Sequence, residues 1–142
     1  RAFESCTNLI EFPEMNTQNV FNMSFMCYNC KKLVTVPKLK ANSVININSS
    51  FIWCNNLTNL GGFENLGESY STSSNANNES YQLNLSYSTK LTHESLMNVI
   101  NNLYDIKAKG CKAQQLILGS TNISKLSAEE LQICTERGWS VS

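Results

Sequence analysis

Apolar residues recur along the first half of the chain at a fixed step. Cys6, Cys30 and Cys54 lie 24 residues apart, and the same step carries Leu9 to Leu33 to Leu57 and Phe12 to Val36 to Leu60. It also carries Phe3 to Cys27 to Phe51, Met15 to Leu39 to Phe63, and Pro13 to Pro37 to Gly61. Between these columns Val20 maps to Val44, Asn22 to Asn46 and Met23 to Ile47. A unit this short cannot bury its own apolar face, whereas stacked copies bury a continuous one. The segments LIEFP and LVTVP predict one short strand per turn, pairing in parallel with its next copy. Proline has no N–H to donate, so it belongs at the end of that strand. The opposite limb, NVFNMSFM and SVININSS, has no strong helix signal. It is expected to be irregular or 3₁₀-like, with asparagine amides satisfying backbone groups of neighbouring turns.

The pattern changes after residue 66. Residues 67–80 hold no periodic apolar position and are dense in Ser and Asn, which predicts a polar loop. Beyond it YQLNLSYS alternates as a strand with Leu83 and Leu85 inward. Thr92 is placed to cap a helix running to about Lys109, with Leu91 and Leu96 as its hydrophobic staple. Its apolar stripe is Leu96, Val99, Ile100, Leu103 and Ile106, and Gly110 ends it. A second unit follows, with QLILG as the strand, Ser127 and Glu130 as a capping box, Leu126 and Leu131 as the staple, and Gly138 as the stop. WSVS closes the chain as a last strand. Two strand–helix units after thin coils would cover an open apolar end.

The motif C-x-x-L-x-x-apolar-P-x-apolar, followed by an Asn/Ser/Thr-rich limb of the NVxNM type, resembles the BspA-like class of bacterial leucine-rich repeats. The likeness covers residues 1 to about 66, and the LTHESLMNVINNLYDI and LSAEELQICTERGW segments resemble the terminal block of such arrays. The expected fold is therefore an α/β solenoid. It comprises three 24-residue leucine-rich repeats over 1–66, a polar loop over 67–80 and a strand–helix capping block over 81–142. The resemblance implies a bacterial cell-surface or phage-tail protein engaged in adhesion or protein binding, and it specifies no ligand.

Composition narrows the function classes. The 142 residues carry eleven basic and eleven acidic side chains, a net charge of zero, and only 15% of them are charged. That balance argues against nucleic-acid binding driven by phosphate neutralisation. Asparagine, at 20 residues beside 18 Ser and 9 Thr, fills much of the gap. No apolar run approaches the roughly 20 residues of a membrane span. A start at Arg1, with neither initiator Met nor signal-peptide pattern, is what a fragment of a longer chain would show.

Candidate chemistry is thin. Cys6, Cys30 and Cys54 occupy one column and are expected to stack inward as small apolar side chains. Cys27-x-x-Cys30 lacks the strand–turn–helix setting of a redox motif and has no second pair at zinc spacing. Cys134 is expected in the core. Cys111, after a helix-ending glycine and flanked by Lys109 and Lys112, is the thiol best placed to react. His93 is the single histidine, expected as a solvated residue of a helix's first turn. On the expected helix it would stand on the order of 25 Å from Cys111, at about 1.5 Å per residue, which excludes a Cys–His pair. Glu129 and Glu130 complement a helix N-terminus. No phosphate-cradling loop or G-x-S-x-G occurs. The six N-x-S/T sequons compare with roughly four expected from composition and carry no argument for glycosylation.

What remains is surface. An outward row of Glu11, Thr35 and Asn59, continued by Gln82, Asn84, Gln115 and Ile117, is expected to present amides suited to saccharides or protein backbones. The expected function is a non-enzymatic protein or glycan interaction module. It would use no cofactor, metal, nucleic acid or membrane insertion. The alternative is a structural spacer or end cap whose partners are upstream repeats of its own parent chain.

Overall fold

A computed structural model describes residues 1–72 and 81–142. The 24-residue step is written into its backbone pairing. Strand β1 (Thr35–Val36) pairs in parallel with β3 (Asn59–Leu60), matching Thr35 to Asn59 and Val36 to Leu60. Strand β2 (Leu39–Lys40) pairs in the same way with β4 (Phe63–Glu64). Isolated bridges Glu11–Thr35 and Asn22–Asn46 extend the same register to the first turn. Pro37 ends β1 as expected. Gly61, at the proline position, donates its N–H to the Val36 carbonyl at 2.9 Å, a bond proline cannot make. A Cβ there would lie 2.2 Å from the Lys38 nitrogen, so only glycine fits.

Each turn also bends at a repeated corner. Ser5, Asn29 and Trp53 are left-handed, as are Phe25 and Ser49 one corner away. The cysteine after each of the first three donates its N–H to a carbonyl three residues back. The thiols then tie turn to turn. Cys30 Sγ donates to the Phe3 carbonyl at 2.9 Å and Cys54 Sγ to the Cys27 carbonyl at 3.0 Å. This ladder runs past residue 66 with a longer step. Ser88 Oγ donates to the Cys54 carbonyl, and Asn122 Nδ2 to the carbonyls of Leu85, Ser88 and Leu118. Inside it Leu33, Leu57 and Leu91, with Val36, Leu60, Met23 and Ile47, form one buried core.

The C-terminal part holds β5 (Gln82–Asn84), α2 (His93–Asn101), β6 (Gln114–Ile117), α3 (Ser120–Ile123), α4 (Ala128–Glu136) and β7 (Trp139–Val141). β5, β6 and β7 form one parallel sheet, with α2 and α4 crossing between successive strands. The expected caps form: Thr92 accepts from the Ser95 N–H, and Ser127 and Glu130 make a full capping box. Buried Gln114 holds two aromatic residues together. Its Oε1 accepts the Tyr81 N–H and its Nε2 donates to Tyr70 Oη at 2.6 Å.

Three expectations are corrected. The helix expected to reach Lys109 stops at Asn101, because Leu103 bridges Leu66 and the Tyr104 N–H donates to the Leu66 carbonyl. A separate 3₁₀ turn, Lys107–Lys109, leads to left-handed Gly110, and the five stripe residues are buried all the same. The loop expected over 67–80 begins instead with helix α1 (Glu68–Thr72), anchored by buried Tyr70; residues 73–80 lie outside the described residues. Cys6, expected inward, is exposed, since no turn covers its side of the first coil, while Cys30 and Cys54 are buried.

Candidate functional site

The residues expected to form one outward row lie in two separate ladders. Glu11, Thr35 and Asn59 align on the β1–β3 side. Gln82, Asn84, Gln115 and Ile117 belong to the β5–β6–β7 sheet, where Gln82 pairs with Gln115 and Asn84 with Ile117. Gln82 joins the earlier turns through Asn48, whose Oδ1 accepts its backbone N–H at 3.0 Å, and so lies on the limb of Asn22 and Asn46. The place beside Asn59 is taken by α2. Glu11, Asn59 and Gln115 are exposed, whereas Thr35, Gln82 and Asn84 are half-buried. The Asn84 amide oxygen is occupied by the N–H and hydroxyl of Ser86.

A groove of about 270 Å³ runs between the first ladder and α2, lined by Thr35, Pro37, Asn59, Gly61, Glu94 and Asn98. Much of its polarity is already used. Ser95 Oγ accepts the Leu60 N–H and donates to the Thr58 carbonyl, and Asn98 Nδ2 donates to the Leu60 carbonyl. Gly62 allows this approach, because a Cβ there would meet the Asn98 carbonyl oxygen at 2.5 Å. A wider hollow of about 560 Å³ lies across Gln18, Phe21, Lys40, Glu64 and Glu68.

The sequence reading missed a row of aromatic rings at the repeated corner. Phe25 meets Tyr28 at 5.4 Å between ring centroids, Tyr28 meets Trp53 at 5.3 Å, and Trp53 meets Tyr87 at 6.4 Å. Arg1 sits over Phe25 at 4.7 Å. Trp53 is 42% and Tyr87 38% exposed, so the row presents ring surface to solvent across successive turns. The available signal was the 34-residue step from Trp53 to Tyr87, the same step that takes Cys54 to Ser88. Tyr28 and Trp53 stand in neighbouring columns and leave no trace at a spacing of 24.

Several titratable groups are buried or held by structural partners. Burial pushes the Cys54 thiol up to about 12 and Cys134 to about 11, and raises Cys27 and Cys30 as well. Such thiols hold little thiolate near neutral pH. Cys111 is half-buried, with Sγ 3.9 Å from the Ser71 carbonyl. His93, expected to be merely solvated, meets the Glu130 carboxylate at 2.7 Å. The helix-length argument against a His93–Cys111 pair lapses with the shorter helix, but His93 faces Glu130 instead. Lys125 Nζ donates to the carbonyls of Thr89 and Leu91 and to Asn122 Oδ1, and burial lowers its pKa. Among the described residues no three His, Cys, Asp or Glu side chains converge as metal ligands, and no helix is long and apolar enough to cross a membrane.

No family model, curated protein or solved structure matches the chain.

Proposed function

We propose that the chain is a non-enzymatic interaction module, an α/β solenoid of the BspA-like leucine-rich-repeat type, from a bacterial cell-surface or phage-tail protein. Its partner is a cell-surface protein or glycan. The observation that carries this reading is the exposed aromatic row at the repeated corner, rimmed by exposed Asn55 and half-buried Asn29 and Asn56. Tyr and Trp offer a large apolar face with a polar tip, the combination favoured where a partner is gripped at a wet surface. The test is binding of the labelled chain to bacterial cells, cell-wall fractions and a glycan panel. Saturable binding, weakened by Trp53→Asn, is expected; no saturable binding to any of them overturns the reading.

A second reading, a spacer or end cap within a longer repeat protein, is favoured by the first turn. Ile10 is 60% and Met15 47% exposed there, and Cys6 lacks the cover that Cys30 and Cys54 have. Adding repeats ahead of Arg1 should then raise the melting temperature, and an unchanged value overturns the spacer.

A further inference from the structure

The aromatic corner has a charge bias that the neutral total conceals. The stretches turning this corner are 27–34, 51–58, 85–92 and 119–126, and none contains Asp or Glu. They contain Lys31, Lys32, Lys90 and Lys125. In the first turn Glu4 is taken by Arg1 at 3.2 Å. Lys125 is spent on its three internal acceptors, but Lys31, Lys32 and Lys90 are exposed. Their nearest partners carry no charge. Lys32 Nζ donates to Asn8 Oδ1 at 3.1 Å and Lys90 Nζ to Asn56 Oδ1 at 2.5 Å. Neither these two nor Lys31 reaches a carboxylate among the described residues. The lysines stand three or four residues from Tyr28 and Tyr87, so at most about 14 Å separates their Cα atoms from those of the aromatic residues.

We propose that this corner binds an anionic saccharide chain, its pyranose rings stacking on Trp53 and Tyr87 while Lys31, Lys32 and Lys90 meet its acid groups. The inference rests on reading the chain as an interaction module and names the ligand class for that surface. A pyranose ring offers a face of polarised C–H groups to the negative face of an aromatic ring. Its hydroxyls match the donor and acceptor of the exposed Asn55 amide, while Asn56 is held by the Lys31 carbonyl and Lys90 Nζ. Uncompensated lysines then select for acid groups and draw them in over roughly 8–10 Å at moderate salt. A single-stranded nucleic acid would use the same two chemistries, but it needs successive bases seated on separate ring faces and a cation path along the backbone. Here the rings tilt against one another at 5.3–6.4 Å, and the three lysines without a carboxylate partner among the described residues belong to two turns of one corner.

The experiment is titration of the full chain with oligosaccharides bearing uronate, sulfate or phosphate, with their uncharged counterparts and with an oligothymidylate. At least one acid-bearing sugar should bind about tenfold more tightly than its uncharged counterpart, and the preference should shrink with added salt. Trp53→Asn places there the residue the repeat already carries at Asn29 in the same left-handed conformation. It should weaken binding about tenfold. Losing its two ring contacts should lower the melting temperature by no more than several degrees, leaving the chain folded at the assay temperature. Lys31→Gln, Lys32→Gln and Lys90→Gln together should abolish the preference for acid and leave binding of the uncharged sugar. Equal affinity for charged and uncharged sugars overturns the anionic assignment and leaves the interaction module standing. A preference untouched by Trp53→Asn overturns the placement, and tighter oligothymidylate binding overturns the ligand class. Saturable cell binding without any sugar binding overturns this proposal alone.

Discussion

The Ser95 hydroxyl takes the place of a strand beside Leu60. It accepts the Leu60 N–H at 2.9 Å and donates to the Thr58 carbonyl at 2.9 Å, so the edge of β3 is closed by a helix side chain. An open edge of this kind invites pairing with another chain. Ser95→Ala leaves the buried Leu60 N–H unpaired, while the Thr58 carbonyl keeps the Thr92 N–H, and should cost about 1–3 kcal/mol. Denaturant titration of the two proteins checks it, and equal midpoints with equal slopes would remove this role from Ser95.

The column Cys30, Cys54, Ser88 and Asn122 asks each side chain for a small volume and one donor to a neighbouring carbonyl. Cys54→Ser should therefore change stability by less than about 1 kcal/mol, whereas Cys54→Val, which keeps bulk and loses the donor, should cost more. Asn122→Leu removes donors to three carbonyls and should be the most damaging change in the column, about 2–4 kcal/mol. Thermal melts of the three variants rank them; Val equal to Ser would show that the thiol acts by packing alone.

Alkaline pH should weaken the fold. Cys54 and Cys134 ordinarily ionise near 9.0, but burial holds them to about 12 and about 11 in the folded chain. Between these values the unfolded chain has lost protons that the folded chain retains. Stability is then complete below pH 9 and declines as pH rises toward 11–12. Urea midpoints from pH 7 to 11 should fall, and fall less for Cys54→Ser. In the same range a maleimide probe should label exposed Cys6 first and reach Cys27, Cys54 and Cys134 only on unfolding.

Glu130 serves two helices at once, closing the α4 capping box and meeting His93 at the start of α2. The Ser127 backbone bond, followed by His93, holds its carboxyl below the usual carboxylate range. A lowered folded pKa gives stability that is present above the unfolded value and lost as pH falls through the folded one. Glu130→Gln should thus lower the melting temperature at pH 6 and have a smaller effect near pH 3. An equal shift at both pH values would assign the effect to geometry and not to charge.

The repeat was legible because the pairing it predicts has the same 24-residue offset, from Glu11–Thr35 to Lys40–Glu64. Caps were legible because Thr92, Ser127 and Glu130 act within one helical turn, where sequence distance and spatial distance agree. The candidate row was misread for the opposite reason. Asn59 to Gln82 is a step of 23, close enough to the repeat to imitate it, yet Gln82 joins Asn48, 34 residues earlier on the other limb. Helix α2 was read too long because Leu103 and Ile106 keep the helical spacing while the backbone leaves the helix to pair Leu103 with Leu66. The aromatic row crosses columns, and only the three-dimensional corner brings Tyr28 to Trp53.

The replacement of β-strands by α2 and α4 on one limb, opposite the continuous β5–β6–β7 sheet, also sets a curvature. Strands advance about 4.8 Å per turn, whereas helices packed side by side stand about 8–10 Å apart. Two limbs with unequal spacing cannot stack straight. The C-terminal turns must fan open on the helical side, which puts Gln82 and Gln115 on the inside of the bend and Glu94 and Glu129 on the outside.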